Sequence, residues 1–265
     1  MTQTTSTVGT ARSADGTTIT YERSGDGPAI VLVGGAFNDR STTRELAAAL
    51  AADFTVFGYD RRGRGDSGDT APYAVQREIE DLAAVIGAAG GTAYVYGLSS
   101  GAILAALATA AGLPVTGLAL FEPPFQVGAY AGSRSAIAPK LAELVAAGRR
   151  GDVVECFLVE AVGVPADEVR GMREQPMWPW MEMLAPTLVY DSTVTGDGTL
   201  PAERLAAITA PTVVVDSTGS PDWLRAAARA AAEAVPGARH LSLEGGFHEV
   251  PADRLAPHLR RALLG

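Results

Sequence analysis

The sequence is poor in cysteine, lysine and aromatic residues, and it carries little positive charge. The shortages of cysteine and of positive charge each remove a class of function. One cysteine, Cys156, cannot build a disulfide framework or a cysteine-rich zinc site. Its place in an apolar helical run reads as a buried structural thiol. Lys140 is the only lysine, and the balance of 21 Lys+Arg against 30 Asp+Glu gives a formal net charge of -9. That leaves no basic surface for nucleic acid or a phosphate-rich ligand, and neither a cofactor nor a metal is expected. An unbroken membrane-length apolar run is also missing. The most apolar region, Thr92 to Phe121, is divided into strand, helix and strand by Ser99, Ser100 and the Gly112-Leu113-Pro114 break. Met1 to Thr10 has neither the positive start nor the apolar core of a signal peptide, and it reads as a disordered tail. The expectation is a cytoplasmic protein away from membranes, a monomer or homodimer, acting on a small molecule.

Apolar residues are plentiful. They make up 47% of the chain against 19% charged, enough to fill the core of one large domain. Val8 to Arg12 and Thr17 to Arg23 flank Asp15-Gly16, a hairpin signal. Ala29 to Val33 is an unbroken apolar run of the kind buried on both faces of a sheet. A helix from about Thr42 to Ala52, a strand from Phe54 to Tyr59 and a helix near Val75 to Ala89 follow. Strands at Ala93 to Gly97 and Pro114 to Phe121 enclose another helix. This alternation predicts an α/β domain with a doubly wound, mostly parallel sheet. The rhythm lapses from Pro123 to about Ala210, then resumes with strands at Thr212 to Val215 and Arg239 to Leu243, each followed by a helix. Residues 123–209 therefore read as an insertion into a core of 1–122 and 210–265.

The chemistry centres on Gly97-Leu98-Ser99-Ser100-Gly101, placed between a β-branched, aromatic strand and an Ala/Leu-rich helix. In that context Gly-x-Ser-x-Gly is a nucleophile elbow. The tight turn strains the middle residue and requires neighbours nearly bare of side chain. Gly97 and Gly101 meet that need, which would leave the Ser99 hydroxyl exposed at the positive end of the next helix. A serine hydroxyl needs a base, and three histidines are available. His240 opens onto a strand and His258 lies in the last helix. His248 follows a strand and a glycine pair, so it can sit on a loop at the sheet's C-terminal edge.

Four motifs, in order, resemble those of the α/β-hydrolase superfamily, in particular its capped single-domain members. They are Gly34-Gly35 after a buried strand, Asp60-Arg61-Arg62-Gly63-x-Gly65-x-Ser67, the Ser99 elbow, and Gly245-Gly246-Phe247-His248. The resemblance implies Ser99 as nucleophile, His248 as general base and acid, and backbone N–H groups of Ala36 and Ser100 as the oxyanion hole. It makes Phe37 a site-lining residue, the Asp60 to Ser67 run a structural turn, and the insertion a helical lid. Two departures stand out. Gly34-Gly35 replaces the family's usual His-Gly, and Ser220 occupies the place of the usual acid. Asp216 and Asp222 flank that place. Glu122 ends the preceding strand, where some capped members carry their acid, and it is the favoured candidate. Asp216, Asp222 and a dyad without a carboxylate remain as alternatives.

Within the insertion, Met177-Trp178-Pro179-Trp180-Met181 is the densest aromatic and sulfur cluster. Trp178, Trp180 and Met181 are accordingly expected on the pocket roof, suited to a medium-sized, largely apolar substrate. The implied activity is that of an esterase or lactonase acting through an acyl-enzyme. A ligand receptor or a lyase built on the same fold is the alternative, kept open by Ser220.

Overall fold

The computed structural model describes residues 6–132 and 136–265. The tail expected over Met1 to Thr10 lies partly outside them. Within it Thr7–Arg12 is instead the first strand, β1, because every residue of it pairs with β2 (Thr18–Ser24). The chain continues through β3 (Ala29–Val33), α1 (Arg44–Leu50), β4 (Thr55–Tyr59), α2 (Val75–Ala88), β5 (Ala93–Leu98), α3 (Ser100–Ala110) and β6 (Val115–Phe121). A helical stretch follows, with α4 (Ala138–Ala146), α5 (Arg150–Cys156), α6 (Ala166–Met172), α7 (Trp178–Leu184), α8 (Leu188–Thr195) and α9 (Ala202–Leu205). It closes with β7 (Thr212–Ser217), α10 (Asp222–Ala234), β8 (Arg239–Leu243) and α11 (Ala252–Leu264).

The strands form one eight-stranded sheet in the order β1-β2-β4-β3-β5-β6-β7-β8. β1 and β2 pair antiparallel and β2 joins β4 antiparallel; every later pairing is parallel. The alternation of strand side chains explains the two layers. Val31, Val33, Leu118, Leu120 and Val214 face α2, α3 and α10. Ile30, Leu32, Ala119, Phe121 and Val213 face α1 and α11. The central helix α3 is buried almost all round, which suits its run of alanine, leucine and isoleucine. This is the expected doubly wound, mostly parallel α/β architecture.

The helical stretch has its own core, in which Leu141, Val154, Val169, Trp178, Met181 and Leu188 pack together. Phe125, Val194, Leu205 and Ile208 pack with the α2/α3/α10 layer and not with that core. Cys156 is buried, and burial raises its thiol pKa. No helix among the described residues is long and apolar enough to cross a membrane.

Candidate active site

Ser99 follows β5 directly and precedes α3, with φ 58° and ψ −124°. The elbow glycines are needed for clearance. A Cβ on Gly97 would stand 2.5 Å from the Gly101 carbonyl oxygen, and one on Gly101 2.5 Å from those of Val33 and Gly34. Real Cβ atoms do not come that close, so α3 could not seat on the end of β3 with any larger residue. Gly35 is equally confined, since its Cβ would meet Ser99 Cβ at 2.9 Å. The loop after β3 therefore lies against Ser99. Ala36 and Ser100 line the same cavity as Ser99. Ser100 is the first helical residue of α3, so its N–H has no intrahelical acceptor.

His248 lies on the loop after β8 and lines that cavity too. Its Nδ1 is 2.5 Å from Oε2 of Glu122, and Glu122 Oε1 accepts from the Ser217 N–H at 2.8 Å. Glu122 is fully buried one residue beyond β6. With Nδ1 engaged by the carboxylate, Nε2 is the nitrogen left for proton exchange. The other carboxylates are placed elsewhere. Asp216 sits two residues after Val214 and so points to the α10 side of the sheet. There it lies 2.5 Å from His240 Nε2 and accepts from Ser242 Oγ at 2.6 Å and Arg225 Nε at 3.2 Å. Asp222 is exposed at the start of α10. Ser220 serves the histidine through its main chain, accepting from the His248 N–H at 2.9 Å. Among the described non-glycine residues, positive φ occurs at Phe37, Ser99, Glu122 and His248, all at this site.

The cavity measures about 320 Å³, at the lower end of the range that holds drug-sized ligands. Phe37 and Leu98 form part of its wall. Its roof comes from Ile137, the π-helical turn Phe157–Val162 after α5, and α8. Phe247, 55% exposed, stands beside His248 at the rim. Trp178, Trp180 and Met181, expected as roof residues, do not line it. Trp178 and Met181 lie one helical turn apart and face the core of the helical stretch. Trp178 Nε1 donates to Glu182 at 3.0 Å there, and Arg173 stacks 5.4 Å from the Trp178 ring. Trp180 instead ties down the loop after β3, donating to the Phe37 carbonyl at 3.3 Å.

Sequence reasoning missed Phe157, Leu158 and Asp191. The first two sit in an apolar run with no distinguishing motif. Asp191 is the one charged residue of α8, and a lone charge among Leu188, Val189 and Val194 was a usable signal. Asp191 is 1% exposed and bridges Arg61 Nη1 and Arg64 Nη2, each at 2.7 Å, while accepting from Ser100 Oγ at 2.6 Å. Arg61 also holds the buried Glu78 through Nε at 2.6 Å and Nη2 at 2.7 Å. Burial acts to raise both carboxyls, but the guanidinium charges outweigh it. Asp191 and Glu78 both end below their ordinary values. Tyr73, which donates to Glu78, stacks flat on Tyr190 of α8 at 3.9 Å. The helical stretch is thus latched to the core directly behind the elbow. Among the described residues, no group of three or more His, Cys, Asp or Glu is placed to hold a metal.

The sequence model of the alpha/beta hydrolase family matches residues 30–258, and the chain belongs to that family. Membership makes it an enzyme of the hydrolase class. Its structure is similar to that of an alpha/beta hydrolase from Sphaerobacter thermophilus, 53% identical with TM-score 0.90, over 96% of this chain and 99% of that one. An esterase from a Rhodococcus species is 24% identical with TM-score 0.72, over 97% and 98%. An enol-lactonase from Burkholderia xenovorans is 21% identical with TM-score 0.73, over 97% and 100%. At those two identities the likeness is one of fold. No curated protein sequence matches the chain.

Proposed function

We propose that this enzyme is a serine-dependent carboxylic ester hydrolase, an esterase or lactonase, working through an acyl-enzyme. The observation that carries the reading is His248 held by Glu122 at 2.5 Å on the wall of the cavity that Ser99 also lines. In this reading His248 Nε2 takes the Ser99 proton as Oγ attacks the substrate carbonyl. The tetrahedral oxyanion is met by the N–H groups of Ala36 and Ser100. His248 then passes the proton to the leaving alcohol, and a water, deprotonated by the same nitrogen, releases the acid. Buried Glu122 fixes the tautomer and stabilises the imidazolium. The helical stretch acts as a lid. The apolar wall of Phe37, Leu98, Phe157, Leu158 and Phe247 suits a medium-sized, largely apolar acyl or alcohol group.

The test is intact mass after treatment with a fluorophosphonate. Wild type should gain one adduct and Ser99→Ala none. An unmodified wild type, or an adduct that persists in Ser99→Ala, would overturn the assignment.

A further inference from the structure

The turn after β4 reaches the loop after β3 through two buried guanidinium groups. Arg64 Nη1 donates to the Gly35 carbonyl at 2.5 Å and to that of Asn38 at 3.1 Å. Arg61 Nη1 donates to the Gly34 carbonyl at 3.2 Å. The Gly35 carbonyl and the Ala36 N–H belong to one planar trans peptide, so they point in opposite directions. Pulling the carbonyl oxygen back toward Arg64 turns the N–H away from it, toward the cavity that Ala36 lines. Glycine at 35 gives this peptide little resistance to rotation of its own; within the loop its carbonyl has a long bond from the Asn38 N–H, at 3.4 Å, so Arg64 supplies the shorter hold. Arg64 is fixed in turn by Asp191 of α8, at 2.7 Å from Nη2. The same carboxylate accepts from Ser100 Oγ, on the residue whose N–H is the second oxyanion donor.

We infer that Arg64, held by Asp191, is the positioning residue that aims the Ala36 N–H at the oxyanion. The lid is then part of the catalytic apparatus, because it supplies the carboxylate that completes this hold. A structural turn would need only that the backbone fold. Two of the hydrogen bonds here go from one guanidinium to carbonyls of the oxyanion loop, and its charge is balanced from another layer of the molecule. The inference rests on the proposal that Ser99 is the nucleophile, and the two can fail separately. Absence of a Ser99 adduct in wild type sinks the proposal. The experiment below sinks the inference alone.

The variants are Arg64→Met, Arg64→Lys and Asp191→Asn, checked for folding by near-UV circular dichroism. Each is assayed for kcat and KM on an apolar aryl ester. Each is also assayed for binding of an aliphatic trifluoromethyl ketone, which forms a tetrahedral adduct with serine, and of the matching methyl ketone, which does not. Loss of one oxyanion donor typically lowers kcat by about 100-fold or more, so Arg64→Met should fall toward that value with KM moved by less than about threefold. Affinity for the trifluoromethyl ketone should drop by the same factor as kcat/KM, with the methyl ketone unaffected. Arg64→Lys keeps the charge but cannot reach both carbonyls and Asp191, so it should recover only part of the rate. A folded Arg64 variant with near wild-type kcat, or equal weakening of both ketones, would overturn the inference. So would failure of all three variants to fold, which would make the cluster an element of stability.

Discussion

Replacing Glu122 by glutamine keeps the shape of the side chain and changes only its charge and where its hydrogens lie. One carboxylate oxygen accepts from the Ser217 N–H at 2.8 Å and the other meets His248 Nδ1 at 2.5 Å. A glutamine must turn its carbonyl oxygen to Ser217, since its amide hydrogens would otherwise face a buried N–H donor, at a cost of about 1–3 kcal/mol. Its NH₂ then faces Nδ1, which must become an acceptor. The imidazole proton moves to Nε2, the nitrogen needed to take the proton from Ser99. The wrong tautomer at a serine hydrolase triad costs about 10⁴ in kcat, or roughly 5 kcal/mol of barrier. The assay is steady-state hydrolysis of an activated aryl ester, with thermal unfolding in parallel. The expected result is a large fall in kcat, little change in KM and a folded protein. A folded Glu122→Gln enzyme retaining more than about a tenth of wild-type kcat would refute the reasoning and return the acid to another carboxylate.

Asp216→Asn gives the converse. Because Asp216 meets His240, Ser242 and Arg225 on the α10 side of the sheet, the variant should lower the melting temperature and leave kcat unchanged; a kcat loss matching that of Glu122→Gln would reverse the assignment. Phe157→Ala should raise KM for bulky apolar esters by opening the roof. Trp178→Ala should cost about 3–5 kcal/mol of stability without altering substrate preference, and a specificity change in Trp178→Ala would restore it to the cavity wall. Asp191 and Glu78 have folded pKa values below their unfolded ones, so their contribution to stability is full above the unfolded values and is lost as pH falls through the folded ones. Near-UV circular dichroism should therefore report packing of the helical stretch that persists through the ordinary carboxylate range and weakens only below it, and a loss that sets in above about pH 5 would contradict this.

The architecture was legible because its signals are local. Buried β-branched runs such as Ala29–Val33 alternate with amphipathic helices, and glycines bracket Ser99 where the turn needs them. The acid was harder to read. Three carboxylates stand at or just past the ends of β6 and β7, which neighbour each other in the sheet, and choosing among them depends on which face of the sheet each one meets. Alternation along β7 puts Asp216 with Val214, but only the packed structure says that this face belongs to α10 and not to the His248 loop. The helical stretch was read least well. Trp178 and Met181 looked like pocket residues because they are large and apolar, yet a small helical layer needs such side chains for its own core. The Asp191 contacts with Arg61 and Arg64 span 130 and 127 residues, and no local pattern announces a pairing at that distance.

The four strained residues show how the sheet holds such a site together. A positive φ on a non-glycine residue costs on the order of 1–3 kcal/mol and persists only where the surroundings over-determine it. Here much of that restraint is the hydrogen bonding of the sheet, carried one step past the strand ends. The Ser99 N–H donates to the Phe121 carbonyl at 2.9 Å, and the Glu122 N–H to that of Val215 at 3.0 Å. The Ser217 N–H then returns a bond to the Glu122 carboxylate, and Ser220 takes the N–H of His248. Nucleophile, acid and base candidates are thus linked edge to edge in the order of β5, β6, β7 and β8. Phe37 lies outside this run. It is held by an edge-on contact to Phe157 at 5.6 Å and by the Trp180 bond to its carbonyl, both from the helical stretch. The residues that would attack and shuttle the proton are therefore fixed by the sheet, whereas the loop that would receive the oxyanion is held by the helical stretch and by Arg64. Changes in the helical stretch should on this ground act first on transition-state stabilisation and only secondarily on Ser99 and His248.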